Sequence, residues 1–307
     1  MSTAPQVDFS IIVGLVSTED SDRILETLEA LRGQRGSPSY EVVIGDRRQA
    51  EVSRMIAECY PEVQLIACEA GTTLPQLRTA ALDAATGRYI VVTEDHCVPS
   101  DNWLQSMQNA LASAPPDVVA VGGCVENGVT GRALDWATFF CEYSNALAPV
   151  PEGETDTLPG MNVVYRYDAL ANVDRQRLEQ GFWETTVHGH LLETGKRFQS
   201  SNDIVLYHCK KFSFRLFMRQ RFVYSRYFAG LRFARHEVAK RMVATVFSVA
   251  LPGLLLLRIV RNVRSKNRLQ WELLKALPAL SVFVVVWGFG EMVGYVAGQG
   301  GALAEIE

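Results

Sequence analysis

The sequence has few cysteines, and they do not form the patterns that zinc ribbons and disulfide frameworks use. Its six cysteines lie at positions 59, 68, 97, 124, 141 and 209, at no regular spacing and without a CxxC pair. Both kinds of site need cysteines at short, matched spacings. We therefore expect neither of them, and we expect the protein to work in a reducing compartment.

The N-terminus lacks the features of a secretory signal peptide. Residues 1–8 contain no basic side chain, and the apolar run at 9–16 is soon followed by Glu19 and Asp20. A signal peptide carries basic residues before its apolar run. We therefore expect the N-terminal domain to stay in the cytosol.

Basic side chains are scarce in the first two thirds of the 307 residues and concentrated after them. Residues 1–209 have a net charge of −15, residues 210–275 of +14 and residues 276–307 of −3. Such an asymmetry indicates separate parts with separate partners. We expect a catalytic domain at 1–209, since a hydrophobic content of 48% excludes a disordered chain.

Two long apolar runs follow the basic region. Residues 242–257 carry no charge, and residues 276–304 carry Glu291 as their single charge. Because a helix needs about 20 apolar residues to cross a bilayer, we expect a transmembrane helix at 276–300. We expect an interfacial or transmembrane helix at 242–263. The alternative for each run is a buried core helix.

The loop between the runs bears on topology. Residues 258–275 hold six basic side chains, and such loops stay on the cytosolic side of a membrane. If both runs crossed, this loop would lie outside. We therefore expect the first run to be interfacial or re-entrant, with a transmembrane hairpin as the alternative.

The segment at 210–241 is basic and aromatic. It contains ten Lys or Arg residues interleaved with Phe and Tyr. This composition also occurs in proteins that bind nucleic acid. However, the segment directly precedes an apolar run, which favours an amphipathic juxtamembrane helix on anionic lipids and not nucleic acid. A solvated basic helix is the alternative.

Apolar runs of strand and helix type alternate along the first 95 residues. We predict strands at 9–16, 40–45, 63–68 and 89–93 and helices at 20–32, 51–59 and 74–85. This alternation predicts an α/β fold with a mostly parallel sheet flanked by helices. Ligands of open sheets bind at the carboxyl ends of the strands. Asp46 and the triplet Glu94-Asp95-His96 would lie there.

The triplet has the chemistry of a cation site. Two carboxylates and an imidazole at a strand end can hold a divalent cation, which neutralises a diphosphate. The alternative is a solvated acidic loop.

Several ordered segments together resemble the family 2 glycosyltransferases, which bind a nucleotide sugar in an α/β domain of the GT-A type. The resemblance covers roughly residues 9–235. Its main segments are SIIVGLVSTEDSDRILETLEALRGQ, YEVVIGD and LPQLRTAALDAATGRYIVVTEDHCVPSDNWL.

The resemblance implies roles for the residues in these segments. Asp46 would bind the nucleobase of the donor, and Arg78 would lie near its diphosphate. Glu94 would belong to the donor site, and Asp95 and His96 would hold Mn²⁺ or Mg²⁺ in the region of the DxD motif. The histidine departs from that motif, and imidazole suits Mn²⁺ better than Mg²⁺.

Two later segments resemble the sugar and acceptor side of the family's site. In LPGMNVVYR, Gly160 would permit close backbone approach and Asn162 would bind sugar hydroxyls. The alternative is a loop-to-strand turn. In FWETTVHGHLLETG, Glu184 takes the position of the catalytic carboxylate and would remove the proton of the acceptor hydroxyl. The alternative for Glu184 is a carboxylate that satisfies backbone N–H groups at a helix N-terminus.

The segment RQRFVYSR resembles the family's Q-x-x-R-W motif in an altered form. Gln220 and Arg221 would hold the leaving diphosphate. The resemblance thus implies inverting, metal-dependent transfer of a sugar from a nucleoside diphosphate sugar to a hydroxyl acceptor, lipid-linked or a polysaccharide, at the cytosolic face of a membrane. The altered motifs leave two alternatives: a non-catalytic nucleotide-sugar-binding membrane partner subunit, and a nucleotidyltransferase on a similar fold.

Overall fold

The computed structural model describes residues 7–20, 22–36 and 38–307, and the elements below lie within them. The strands are β1 (Phe9–Leu15), β2 (Tyr40–Asp46), β3 (Gln64–Ala67), β4 (Tyr89–Glu94), β5 (Cys97–Pro99), β6 (Val118–Asn127), β7 (Gly153–Thr155), β8 (Val163–Arg166) and β9 (Arg197–His208). The helices are α1 (Arg23–Arg32), α2 (Glu51–Cys59), α3 (Leu74–Ala84), α4 (Trp103–Ser113), α5 (Ala133–Tyr143), α6 (Tyr167–Ala171), α7 (Arg175–Glu179), α8 (Trp183–Glu193), α9 (Phe214–Arg232), α10 (Val238–Phe247), α11 (Leu251–Ser265) and α12 (Gln270–Ala297).

All nine strands belong to one mixed sheet. Its order is β3-β2-β1-β4-β8-β6-β9-β5, and β7 pairs with β9. The first four strands along the chain pair in parallel, as the alternation of strand and helix predicts. The sheet then departs from a mostly parallel arrangement, because β8 runs antiparallel to both β4 and β6. The α/β fold with flanking helices is confirmed.

The N-terminal strands form because they are apolar along their whole length. Every residue of β1 is buried, which is typical of a parallel strand covered by helices on both faces. Helix α3 begins at a capping box, in which the Thr73 N–H donates to Gln76 Oε1 at 2.9 Å. Strand β2 approaches α3 so closely that a Cβ at Gly45 would lie 2.5 Å from the Leu77 carbonyl oxygen.

The chain separates into two compact units. The first comprises Met1–Gly128 and Ala146–Lys210 and contains the whole sheet. Its main core lies between the sheet and the helices α3, α6 and α8, and is built from residues such as Ile12, Val43, Val92 and Leu191.

The second unit comprises Val129–Asn145 and Lys211–Glu307. It is helical and contains α5 and α9 to α12. Small residues allow α9 and α12 to pack closely, since a Cβ at Gly290 would lie 2.6 Å from the Phe222 carbonyl oxygen. The Phe217 and Phe283 rings add an aromatic contact at 4.5 Å between centroids.

Among the described helices, α12 is long and apolar enough to cross a membrane by itself. It extends over 28 residues and begins before the predicted range of 276–300. The first apolar run forms two helices, α10 and α11, that meet at an angle of 62°. These two helices are apolar enough for one bent span or a re-entrant segment.

Candidate active site

The carboxyl ends of three parallel strands bring the predicted residues of the nucleotide site to one edge of the sheet. In the strand register, Leu15 of β1 lies opposite Asp46 of β2, and Gly14 lies opposite Glu94 of β4. The chain turns directly after each of these positions. This edge is where open α/β sheets hold their ligands.

Asp46 closes its own strand end. Its Oδ1 accepts hydrogen bonds from the Arg48 N–H at 2.7 Å and the Gln49 N–H at 3.0 Å. These bonds form the turn that an aspartate commonly makes after a strand. The side chain is buried, and its contact with a nucleobase stays a prediction.

Asp95 lies in a dense hydrogen-bond network. Its Oδ2 accepts from the N–H groups of Val16 and Ser17, both at 2.9 Å. Its Oδ1 lies 2.7 Å from both Ser17 Oγ and His96 Nδ1. Burial raises the pKa of Asp95, but the contact and charge of His96 and the charge of Lys210 outweigh it, so the pKa lies well below its ordinary value. Asp95 is therefore an anion that fixes the ring of His96.

The three side chains best arranged for a cation are Glu94, His96 and His208. Each offers one ligand atom, and these atoms lie within 4.8 Å of one another. His96 Nε2 lies 3.1 Å from His208 Nε2 and 3.4 Å from Glu94 Oε2. Ligand atoms that share a cation lie about 3 Å apart, because each bond is about 2 Å long. The donor set of two imidazoles and a carboxylate therefore fits a divalent transition metal such as Mn²⁺.

His208 supplies a ligand atom that the motif analysis missed. It lies at the end of β9, where it pairs with Cys97 of β5 across an antiparallel register. Burial, followed by the charges of His96 and Lys210, lowers the pKa of His208 well below its ordinary value, which keeps the imidazole neutral. A neutral imidazole is the form that binds metals.

Arg78, Glu94 and Glu184 form a second cluster at the same strand end. Arg78 is almost completely buried on α3, and its Nη2 donates to Glu94 Oε1 at 3.4 Å. Its Nε has no hydrogen-bond partner within the described chain. The electrostatic influence of both Arg78 and Glu94 reaches Glu184. The structure therefore brings these three predicted residues together.

Glu184 lies in the first turn of α8 with a carboxylate that is only partly satisfied. Its Oε2 is buried, and no described residue donates a hydrogen bond to it. Burial raises the pKa of Glu184, while the Arg78 charge lowers it and the Glu94 charge raises it; the net direction is upward. A carboxylate serving only as a helix cap would be satisfied by backbone N–H groups. This unsatisfied oxygen has the properties of a proton acceptor.

Gly160 contacts this carboxylate directly. A Cβ at position 160 would overlap Oε1 and Cδ of Glu184. The predicted close approach at this glycine therefore involves the side chain of Glu184.

Asn162 is used inside the sheet. Its Oδ1 accepts from Trp103 Nε1 at 2.8 Å, and its Nδ2 donates to the carbonyl oxygens of Cys124 at 2.8 Å and Ile204 at 3.1 Å. These bonds connect β6, β9 and α4 immediately before β8. Its contact with sugar hydroxyls stays a prediction.

Gln220 and Arg221 belong to the second unit. The side chain of Gln220 bonds to the backbone of Glu305 and of Glu307, each at 3.1 Å. Arg221 Nη2 lies 3.3 Å from Glu142 Oε1, and the guanidinium lies 4.7 Å from the Trp287 ring centre. Their predicted contact with the diphosphate stays a prediction.

The histidines of α8 do not form a joint metal site among the described residues. His188 is buried, and its Nε2 lies 2.5 Å from the Tyr165 hydroxyl. Burial lowers its pKa to about 4, so the neutral ring can accept the Tyr165 proton. This bond attaches α8, which carries Glu184, to β8.

Two solved structures are similar to the chain. One is the mannosyltransferase PcManGT from Pyrobaculum calidifontis in complex with GDP-Man and Mn²⁺, with 17% identity, a TM-score of 0.47, and coverage of 98% of this chain and 87% of that chain. The other is S. aureus TarS 1-349 in complex with UDP, with 14% identity, a TM-score of 0.46, and coverage of 95% and 92%.

The search of curated proteins gave no match. The sequence profile described as glycosyl transferase family 2 matches residues 10–173, which is slightly more than half of the chain. This match includes β1 to β4, the Glu94-Asp95-His96 triplet and Gly160. The chain belongs to glycosyl transferase family 2 and is a glycosyltransferase.

Proposed function

We propose that the protein transfers a sugar, with inversion, from a nucleoside diphosphate sugar to the hydroxyl of a lipid-linked or polysaccharide acceptor at the cytosolic face of a membrane. The observation that carries this proposal is the buried, unsatisfied Glu184 carboxylate beside Arg78 and Glu94. Inverting transfer needs one such base next to the donor site.

Glu184 acts as the general base. The acceptor oxygen forms a bond to the anomeric carbon while the bond from that carbon to the diphosphate oxygen breaks. The proton of the acceptor hydroxyl moves to Glu184. Its raised pKa favours this step, because a base whose pKa lies nearer to the working pH accepts a proton more readily.

Arg78 stabilises the departing diphosphate. Its Nε is a buried donor without a partner in the described chain. Negative charge develops on the leaving oxygens during transfer, and a preorganised donor in a buried site stabilises it strongly. Asp46, Asn162, Gln220 and Arg221 complete the donor site in this proposal on the basis of the family motifs.

Glu94, His96 and His208 would hold the divalent cation, with Asp95 orienting His96 through its Nδ1. When bound, the cation supplies positive charge to the diphosphate. A carboxylate bonded to the second nitrogen of a ligating histidine fixes that ring in position. This arrangement assigns Asp95 to support of the site and His208 to direct ligation.

We further propose that α12 crosses the membrane and that α10 and α11 lie at its surface or enter it partway. The 62° bend between these two helices supports a re-entrant or interfacial course. In this arrangement the basic loop after α11 stays in the cytosol, and the C-terminus lies outside. A reporter fused to the C-terminus tests this, since cytosolic reporter activity would contradict a single span.

A screen of nucleotide sugars tests the catalytic proposal. The intact protein is incubated with each donor and Mn²⁺, and release of nucleoside diphosphate is compared between the wild type and Glu184→Gln. We expect release with one class of donor and a loss of it in the variant. Unchanged transfer by Glu184→Gln would contradict the assignment of the base. Pyrophosphate release from a nucleoside triphosphate would instead identify a nucleotidyltransferase.

A further inference from the structure

The second unit contains an apolar cavity whose lining is not used by the proposed chemistry. Its volume is about 590 Å³, and its walls come from the end of α9 and from α10, α11 and α12. The walls are largely apolar and include Val243, Phe247, Leu251 and Leu254. Sites for small molecules commonly measure about 300–1,000 Å³ and are mostly apolar in this way.

One end of the cavity is polar, because Glu291 lies there on the otherwise apolar α12. Its carboxylate accepts hydrogen bonds from Trp287 Nε1 at 3.1 Å and from the Tyr295 hydroxyl at 2.9 Å. Arg232 Nη1 lies 3.4 Å from it and also bonds to Tyr295. The buried carboxylate is therefore well satisfied, as a charge in an apolar helix must be.

Arg232 has donors left for a ligand at this end. Both of its contacts use Nη1, and the side chain is half exposed. A guanidinium carries five N–H donors in a planar fork. Lys240 also lines the cavity, and its ion pair with Glu237 at 2.5 Å is largely exposed on the lysine side. Exposed pairs of this kind are weak, so Lys240 can exchange this partner for an anion.

The surroundings extend both properties of the cavity. The segment at 232–241, which borders the polar end, carries four Lys or Arg residues against one glutamate. The apolar wall continues into exposed apolar side chains of α10 and its C-terminal turn, among them Met242, Val246 and Val249. A ligand that matches both features has a long apolar chain and an anionic head.

We propose that this cavity holds an acyl chain of an anionic phospholipid of the bilayer, with the lipid phosphate on Arg232 and Lys240. Interfacial basic residues attract anionic headgroups, and a buried chain adds apolar contact. The inference rests on the membrane location proposed above and is independent of sugar transfer. It gives the polar cluster of Glu291, Tyr295 and Arg232 the task of orienting the headgroup-binding cation.

Photo-crosslinking of the full chain in detergent micelles tests the proposal. The probes are phosphatidylglycerol and phosphatidylcholine, each with a diazirine on one acyl chain, and labelled peptides are mapped by mass spectrometry. We expect phosphatidylglycerol to label α10 and the C-terminal half of α12 several-fold more than phosphatidylcholine does. Excess unlabelled phosphatidylglycerol should compete for this labelling.

Variants separate the cavity from the general lipid-facing surface. Val243→Trp and Leu254→Trp, on separate helices, fill the cavity and should each abolish the preferential labelling. Leu257→Trp, at an exposed position outside the lining, is the matched control and should leave it unchanged. Arg232→Gln and Lys240→Gln should each lower the preference for phosphatidylglycerol.

Three outcomes would overturn the proposal: equal labelling by both lipids, labelling spread evenly over α10 to α12, or labelling that persists in both tryptophan variants. Size-exclusion profiles identify a misfolded variant, and the lipid preference of the wild type decides the question without any variant. Sugar transfer is measured on the same preparations. Loss of preferential labelling with intact transfer would refute the lipid site alone, and the reverse result would refute only the catalytic proposal.

Discussion

Gly160 and Glu184 are in contact, and the glycine leaves the space that the carboxylate occupies. A Cβ at position 160 would overlap the Oε1 atom of Glu184. The loop before β8 and the first turn of α8 therefore approach each other at a point where no other residue type fits without displacement. This contact fixes the position of the proposed base.

We predict that Gly160→Ala impairs transfer without unfolding the protein. The added methyl group must displace the Glu184 carboxylate, and a shift of about 1 Å in a catalytic group can lower the rate about 100-fold. Gly71→Ala is the matched control, because a Cβ there meets nothing within 4 Å. Turnover with a fixed donor and acceptor is the measurement. Wild-type activity in Gly160→Ala would show that the carboxylate does not depend on this contact.

Replacement of the base itself has a larger effect. We expect Glu184→Gln to lower turnover by about 10²–10⁴-fold, the usual contribution of general base catalysis. In the wild type, activity should fall as the pH decreases through the raised pKa of Glu184, since the protonated carboxyl cannot accept a proton. This acidic limb should begin above the ordinary carboxyl range. Glu193→Gln, at an exposed site on the same helix, should keep both the rate and the pH profile.

The same carboxylate makes folding stability depend on pH. Burial raises the pKa of Glu184, so the folded chain holds this proton to a higher pH than the unfolded chain does. Stability therefore falls as the pH rises from the ordinary value of 4.5 through the raised value. Glutamine does not ionise, so Glu184→Gln should melt above the wild type at pH 8, and the two should converge below about pH 4. A lower melting temperature for the variant at pH 8 would contradict this ionisation penalty.

His208 should be required for cation binding. We expect Mn²⁺ to raise the melting temperature of the wild type in the absence of any donor, and His208→Ala to reduce this increment. A tenfold loss of affinity lowers the stabilisation by about 1.4 kcal/mol at saturating Mn²⁺. His190→Ala, on α8 and outside the cluster, is the control. An undiminished increment in His208→Ala would leave Glu94 and His96 as the ligands.

The sequence predicts the fold best where local patterns and neighbouring strands coincide. Strands β1 to β4 and helix α2 lie at or within two residues of their predicted ranges, because each is a buried apolar run or an amphipathic repeat joined by a short link. His208 gave no such signal. It reaches His96 through the antiparallel pairing of β5 and β9, and pairing between segments 112 residues apart leaves no mark in local sequence.

The site motifs show the same limit. Their residue types identify Arg78, Glu94 and Glu184, which the structure brings together. They do not reveal which polar groups the protein itself consumes. The two oxygens of Asp95 and the amide of Asn162 make several internal hydrogen bonds each, and these bonds arise from tertiary contacts with β1, β6, β9 and α4.

Arg221 provides a test between diphosphate binding and internal packing. It is buried on α9, pairs with Glu142 and contacts the rings of Tyr224 and Trp287. Removing one partner of a buried pair costs about 3–5 kcal/mol, because it leaves the other charge uncompensated. We therefore expect Arg221→Gln and Glu142→Gln each to lower the free energy of unfolding by about this amount. Arg219→Gln on the same helix breaks an exposed pair with Glu305 and should cost less than about 1 kcal/mol.

Donor affinity then separates the two roles of Arg221. If the guanidinium serves packing alone, nucleotide-sugar affinity measured by calorimetry at a temperature where all variants are folded should be the same in Arg221→Gln and Glu142→Gln. If it also holds the diphosphate, Arg221→Gln should weaken donor binding at least tenfold while Glu142→Gln leaves it unchanged. Because the guanidinium already has a carboxylate and two rings as partners, we expect the first result, with the diphosphate held chiefly by Arg78 and the cation.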